Sequence, residues 1–102
     1  MTAPFIMLVD DEVSFVKTVA KRLAKRNIKT LTALSAEEGL EIVEAERPDV
    51  CLLDVRLPGL SGIEALPKFK EALPDMPILV ITAHGTMDTA IEAIRKGAYN
   101  YI

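Results

Sequence analysis

Three short apolar runs in this chain end on residues able to do chemistry. Phe5-Ile6-Met7-Leu8-Val9 leads into Asp10-Asp11-Glu12, Val50-Cys51-Leu52-Leu53 into Asp54, and Ile78-Leu79-Val80-Ile81 into Thr82. Each has an ordinary explanation. Acids ahead of a helix commonly cap its free backbone amides. An Asp before a Pro-Gly loop commonly shapes an Asx-turn, and a β-branched Thr suits a strand. Brought to one edge, however, three carboxylates repel one another and call for a positive partner. Carboxylate and carbonyl oxygens suit Mg²⁺. A divalent ion at such a site favours a phosphoryl group, whose charge it can neutralise. An Asp carboxylate can attack phosphorus to give an acyl phosphate, and a threonine hydroxyl can donate a hydrogen bond to the new oxygens.

Whether these residues meet depends on the elements that carry them. The run at residues 5–9 is too short for a buried helix and reads as a buried parallel strand, as does 50–54. Between them, Phe15, Val16, Val19, Ala20 and Leu23 recur at helical spacing over residues 12–26. Lys17, Lys21, Arg22 and Lys25 lie opposite, near the electronegative helix end. A weaker strand is expected at 28–34. Ser35 with Glu38 forms a capping box that opens a helix to about Glu46, where Pro48 bars continuation.

Pro58-Gly59-Leu60-Ser61-Gly62 is turn chemistry, and Ser61 with Glu64 opens a third helix, which Pro67 should bend. Residues 78–82 form the fourth expected strand. A helix over 87–96 follows, with Ala90, Ile91 and Ile94 inward and Gly97 as C-cap, before a fifth strand at 98–102. Such alternation predicts an α/β fold with a doubly wound parallel sheet. Ligands bind such sheets beyond the carboxyl ends of the strands, where strand order reverses. The acids and Thr82 all fall on that edge.

The chain has 102 residues, 50% of them hydrophobic, and a formal net charge of −3. That suits one small domain and excludes a disordered chain. It offers no basic surface for nucleic acid, and no apolar run long enough to cross a membrane. No signal peptide is recognisable at the N-terminus. The lone Cys51 lies in an apolar run, where it reads as a small buried hydrophobe, and a reducing, cytoplasmic location is expected.

The sequence resembles the receiver domain of bacterial two-component response regulators. The resemblance rests on Leu8-Val9-Asp10-Asp11-Glu12, Leu53-Asp54-Val55-Arg56-Leu57-Pro58-Gly59, Ser61-Gly62-Ile63-Glu64, Ile81-Thr82-Ala83-His84 and Lys96-Gly97-Ala98-Tyr99-Asn100-Tyr101. Around residues 82–90 it is similar to receivers of enhancer-binding transcriptional activators. It implies a flavodoxin-like fold with strand order 2-1-3-4-5. It also implies phosphorylation of Asp54 by a histidine kinase, with Mg²⁺ held directly by Asp11, Asp54 and the Arg56 backbone carbonyl, and by Asp10 through water. Thr82 would be the switch hydroxyl and Tyr101 the switch aromatic, with Arg56 and His84 tuning phosphoryl lifetime. By the same resemblance, the surface of the fourth helix and fifth strand would control an output, transcription in kind, through a domain beyond residue 102, and would allow a dimer.

Receivers of this kind carry a lysine shortly after the switch aromatic and then a fifth helix, whereas this sequence stops at Ile102. Residues 1–102 are therefore expected to be a C-terminally incomplete receiver. Two other readings compete. One is a receiver-like interaction module that takes up no phosphate; the other is a small Mg²⁺-dependent phosphatase. The second lacks a lid or further domain to enclose a substrate.

Overall fold

The computed structural model describes residues 4–81 and 87–102. Strands and helices alternate as β1 (Phe5–Val9), α1 (Val13–Ala24), β2 (Lys29–Ala33), α2 (Ala36–Glu46), β3 (Val50–Asp54), α3 (Gly62–Ala72), β4 (Ile78–Ile81), α4 (Met87–Arg95) and β5 (Asn100–Tyr101). Every pairing is parallel, and the sheet order is β2-β1-β3-β4-β5. Strand order reverses between β1 and β3, so these neighbours leave the sheet at the same edge.

Burial alternates along β4 and the start of β3, whereas the last three residues of β1 are all buried. Met7, Val9, Cys51, Leu53, Ile78 and Val80 are fully buried in one cluster with Val43 of α2, Leu66 and Phe69 of α3, and Ala93 of α4. Each large side chain so enclosed stabilises the fold by about 1.5–3 kcal/mol relative to exposure. Opposite lies the thinner layer under α1, where Leu8 and Val16 are buried. There Val50, Leu52, Leu79 and Ile81 are only half-buried. One helix covers about 10 Å of a sheet some 20 Å wide, so a strip of apolar sheet lies beside α1.

Both expected serine N-caps form, with each glutamate bonded back to the start of its helix. The Ser35 hydroxyl accepts from the Glu38 amide at 3.1 Å, and the Leu34 amide donates to the Glu38 carboxylate at 3.3 Å. The Ser61 hydroxyl accepts from the Glu64 amide at 3.2 Å and donates to its carboxylate at 3.1 Å. Helix α2 ends on Arg47 in a left-handed conformation, φ 50°. The right-handed region is disfavoured immediately before a proline, here Pro48. Gly97, φ 115°, lies after α4 as expected.

Three expectations need correction. Ile91 and Ile94 do not point inward; they are 44% and 41% exposed, and Ala90 and Ala93 are buried instead. Small residues at i and i+3 let α4 approach its neighbours closely, which turns the larger aliphatics outward. Phe15 of α1 is exposed, leaving Val16 as that helix's buried residue. The fifth strand is two residues long rather than five. Ala98 instead closes α4 through its amide to the Ala93 carbonyl at 3.0 Å, while the Tyr99 and Ile102 amides donate to Ile78 and Val80.

Candidate functional site

Because Val9 pairs with Leu53 across β1 and β3, the residues that follow emerge side by side. Adjacent strands lie about 4.8 Å apart, so side chains leaving their ends can meet. Asp10, Asp11 and Asp54 each offer a carboxylate oxygen, all within 4.8 Å of one another. Asp10 and Asp54 are buried, at 5% and 6% exposure, whereas Asp11 is open to solvent. They line a cleft of about 250 Å³ with Glu12, Phe15, Arg56 and Ile81.

Local hydrogen bonds fix the two buried acids. Asp10 Oδ1 accepts from the Glu12 amide at 2.9 Å, and Asp54 Oδ1 from the Arg56 amide at 3.0 Å. The second is the Asx-turn that an acid before Pro-Gly suggests, so that ordinary role coexists with the cluster. Capping does not account for Asp11. The N-cap of α1 is Glu12, with no side-chain cap bond, and the first turn holds no acid.

The donor set fits a hard divalent cation. Around Mg²⁺ with oxygens at about 2.1 Å, neighbouring ligands sit roughly 3 Å apart and opposite ones roughly 4 Å. Oxygens that all lie within 4.8 Å of one another are on the scale of that geometry. Cys51 lies deeper on β3, where burial pushes its thiol up in pKa and keeps it protonated. A thiol in that state acts as a small hydrophobe, not a ligand.

The other sequence candidates are placed differently. Arg56 is exposed, and it lines the cleft. Tyr101 pairs in register with Val80, not with the acids' neighbours; it is 38% exposed, with its hydroxyl 3.7 Å from Met87 Sδ. Thr82 and His84 lie outside the described residues. Two contributors carried no clear signal in the sequence. Phe15 reads as a core position by its periodicity but forms a cleft wall. Gly62 reads as turn chemistry, yet a side chain there would collide with the backbone of Asp54.

A doubly wound parallel sheet with three acids at its switch point defines a class of α/β domains that handle charged groups at one strand edge. Comparison with known proteins narrows this. The family model described as the response regulator receiver domain matches residues 6–102, and the chain belongs to that family.

Its relatives include the DNA-binding transcriptional regulator NtrC of Escherichia coli K12, 32% identical over 102 residues. That match covers all of this chain and 22% of the relative. The regulatory protein LuxO of Vibrio cholerae is 36% identical over 95 residues, covering 93% and 21%. This chain thus spans about a fifth of the length of these relatives. Among solved structures, NtrX from Brucella abortus superposes with a TM-score of 0.91 at 37% identity, covering 98% of this chain and 23% of that one. A response regulator from Burkholderia pseudomallei, described with a phosphorylated aspartic acid, a calcium ion and citrate, gives 0.91 at 30% identity, covering 96% and 58%. Among the described residues, no helix is long and apolar enough to cross a membrane.

Proposed function

We propose that this chain is a phosphorylation-dependent signalling domain, residues 1–102 forming the receiver part, with Asp54 as phosphoacceptor. The observation that carries the reading is the meeting of Asp10, Asp11 and Asp54 within 4.8 Å, in a chain of the receiver family. The Burkholderia relative, with its phosphorylated aspartic acid and divalent ion, supports it by analogy.

The donor is a phosphohistidine on a histidine kinase. An Asp54 carboxylate oxygen attacks phosphorus, the O–P bond forms, and the N–P bond breaks with its electron pair returning to the imidazole. Asp11, Asp54 and the Arg56 backbone carbonyl would hold Mg²⁺, with Asp10 assisting through water. When bound, the ion would supply charge neutralisation for the phosphoryl group. Burial of Asp54 beside the cleft limits water around the acceptor, and the Arg56 amide fixes its orientation. Thr82 would then donate to the phosphoryl group, with His84 and Arg56 tuning how long it persists.

Tyr101 stands beside Met87 at the start of α4. Withdrawal of Tyr101 from that contact would alter the α4–β5 surface, where Met87, Ile91 and Ile94 are exposed. That surface would direct an output, transcription by analogy with NtrC, in a cytoplasmic setting. Incubation of the protein with a radiolabelled small phosphodonor tests the reading. Stable, Mg²⁺-dependent label supports it, no label means a pure interaction module, and steady phosphate release means a phosphatase.

A further inference from the structure

The loop carrying the Arg56 carbonyl is closed into a ring by Gly62. Its amide donates to the Val55 carbonyl at 3.2 Å, bringing the first residue of α3 back onto the end of β3. The approach is so close that a Cβ on Gly62 would stand inside contact distance of the Asp54 carbonyl oxygen, and 2.8 Å from Val55 Cα. Both obstacles are backbone atoms, so neither can rotate away. The ring is also held elsewhere: Val55 and Leu57 are buried, and the Val55 amide donates to the Ile81 carbonyl at 3.4 Å.

From this we infer that Gly62 is a positioning residue for the metal site, setting the Arg56 carbonyl and the Asp54 carboxylate relative to Asp11. The inference rests on the Mg²⁺ reading given above. Any side chain at residue 62 must part α3 from β3. The strain enters at Asp54 and Val55, immediately before Arg56, so the displacement is delivered to the proposed ligands. Helix propensity alone gives the opposite expectation, because Ala is favoured over Gly inside a helix. The obstruction is therefore specific to the approach of α3 to Asp54.

The test is Mg²⁺ titration and thermal unfolding of the protein as Gly62→Ala, Ser61→Ala, Gly97→Ala and Asp11→Asn. Gly97→Ala is the control for general loss of stability. Gly97 has φ 115° and a Cβ there would crowd Lys70, at the end of α4 away from the acids. Ser61→Ala removes the α3 cap without adding bulk and loosens the ring more gently.

Gly62→Ala is expected to weaken Mg²⁺ by about ten-fold or more, the scale for lost support of a metal ligand. Ser61→Ala should weaken it by a smaller factor, and Gly97→Ala should melt earlier with unchanged affinity. Wild-type affinity in a folded Gly62→Ala protein overturns the inference. So does equal weakening in Gly97→Ala. If Gly62→Ala does not fold, unchanged affinity in Ser61→Ala overturns it, and weakened affinity there upholds it. Failure of the wild type to bind Mg²⁺, or full binding by Asp11→Asn, instead overturns the metal reading and is recognisable as such.

Discussion

Asp11→Asn should make the metal-free protein more stable while removing its response to Mg²⁺. The substitution keeps the shape of the side chain and deletes one charge. Asp11 faces two other carboxylates within 4.8 Å. At that distance a like-charge pair costs about 0.9 kcal/mol at the dielectric of water, and about 3.5 kcal/mol at an effective value near 20. Asp11 is exposed, so the lower figure applies, and salt reduces it further. Relief of two such pairs stabilises the folded state by roughly 1–2 kcal/mol, or roughly 5–15 °C in Tm for a domain of this size.

Mg²⁺ acts in the reverse sense. At a hundred-fold excess over Kd it stabilises the wild type by about 2.7 kcal/mol, and Asp11→Asn should lose most of that increment. Thermal unfolding in chelator and in excess Mg²⁺ gives both numbers from one sample. The two proteins should exchange rank between the two buffers. A variant that melts earlier in chelator, or that keeps the wild-type Mg²⁺ increment, would refute the idea that these acids are held together against their own repulsion for the sake of a cation.

Two further outcomes are expected. Thr82→Ala should leave phosphate uptake measurable but shrink the chemical-shift changes around residues 87–94 that a phosphoryl mimic induces; full-sized changes would mean that another element carries the switch. A polypeptide ending at Ile102 should self-associate in sedimentation, because Leu52, Leu79 and Ile81 are half-buried beside α1 and β5 is an open edge. A cooperatively melting monomer would show that this strip needs no cover.

Much of the fold was legible because its signals were local. Continuous apolar runs marked β1, β3 and β4, and Ser35/Glu38 and Ser61/Glu64 placed the starts of α2 and α3. The meeting of Asp10, Asp11 and Asp54 followed from the switch-point rule for parallel sheets, with no need of side-chain detail. Periodicity failed where packing depends on distance between elements. In α4 an apolar stripe could turn either its isoleucines or its alanines inward, and only the closeness of the neighbouring elements selects Ala90 and Ala93. In α1, Phe15 matched the buried stripe but stands above the sheet edge, where it walls the cleft. Gly62 was legible as a turn residue but not as a steric requirement, because the obstructing carbonyl belongs to another element.

The central claim, that Asp54 takes up the phosphoryl group, is tested most directly by locating the phosphate. The protein would be incubated with Mg²⁺ and a small phosphodonor, trapped by borohydride reduction of the acyl phosphate, and digested for mass spectrometry. The modification is expected on Asp54, dependent on Mg²⁺ and absent from Asp54→Asn, with hydroxylamine removing it from untrapped protein. Undiminished phosphate in Asp54→Asn, or label on a residue outside the acidic cleft, would contradict the account.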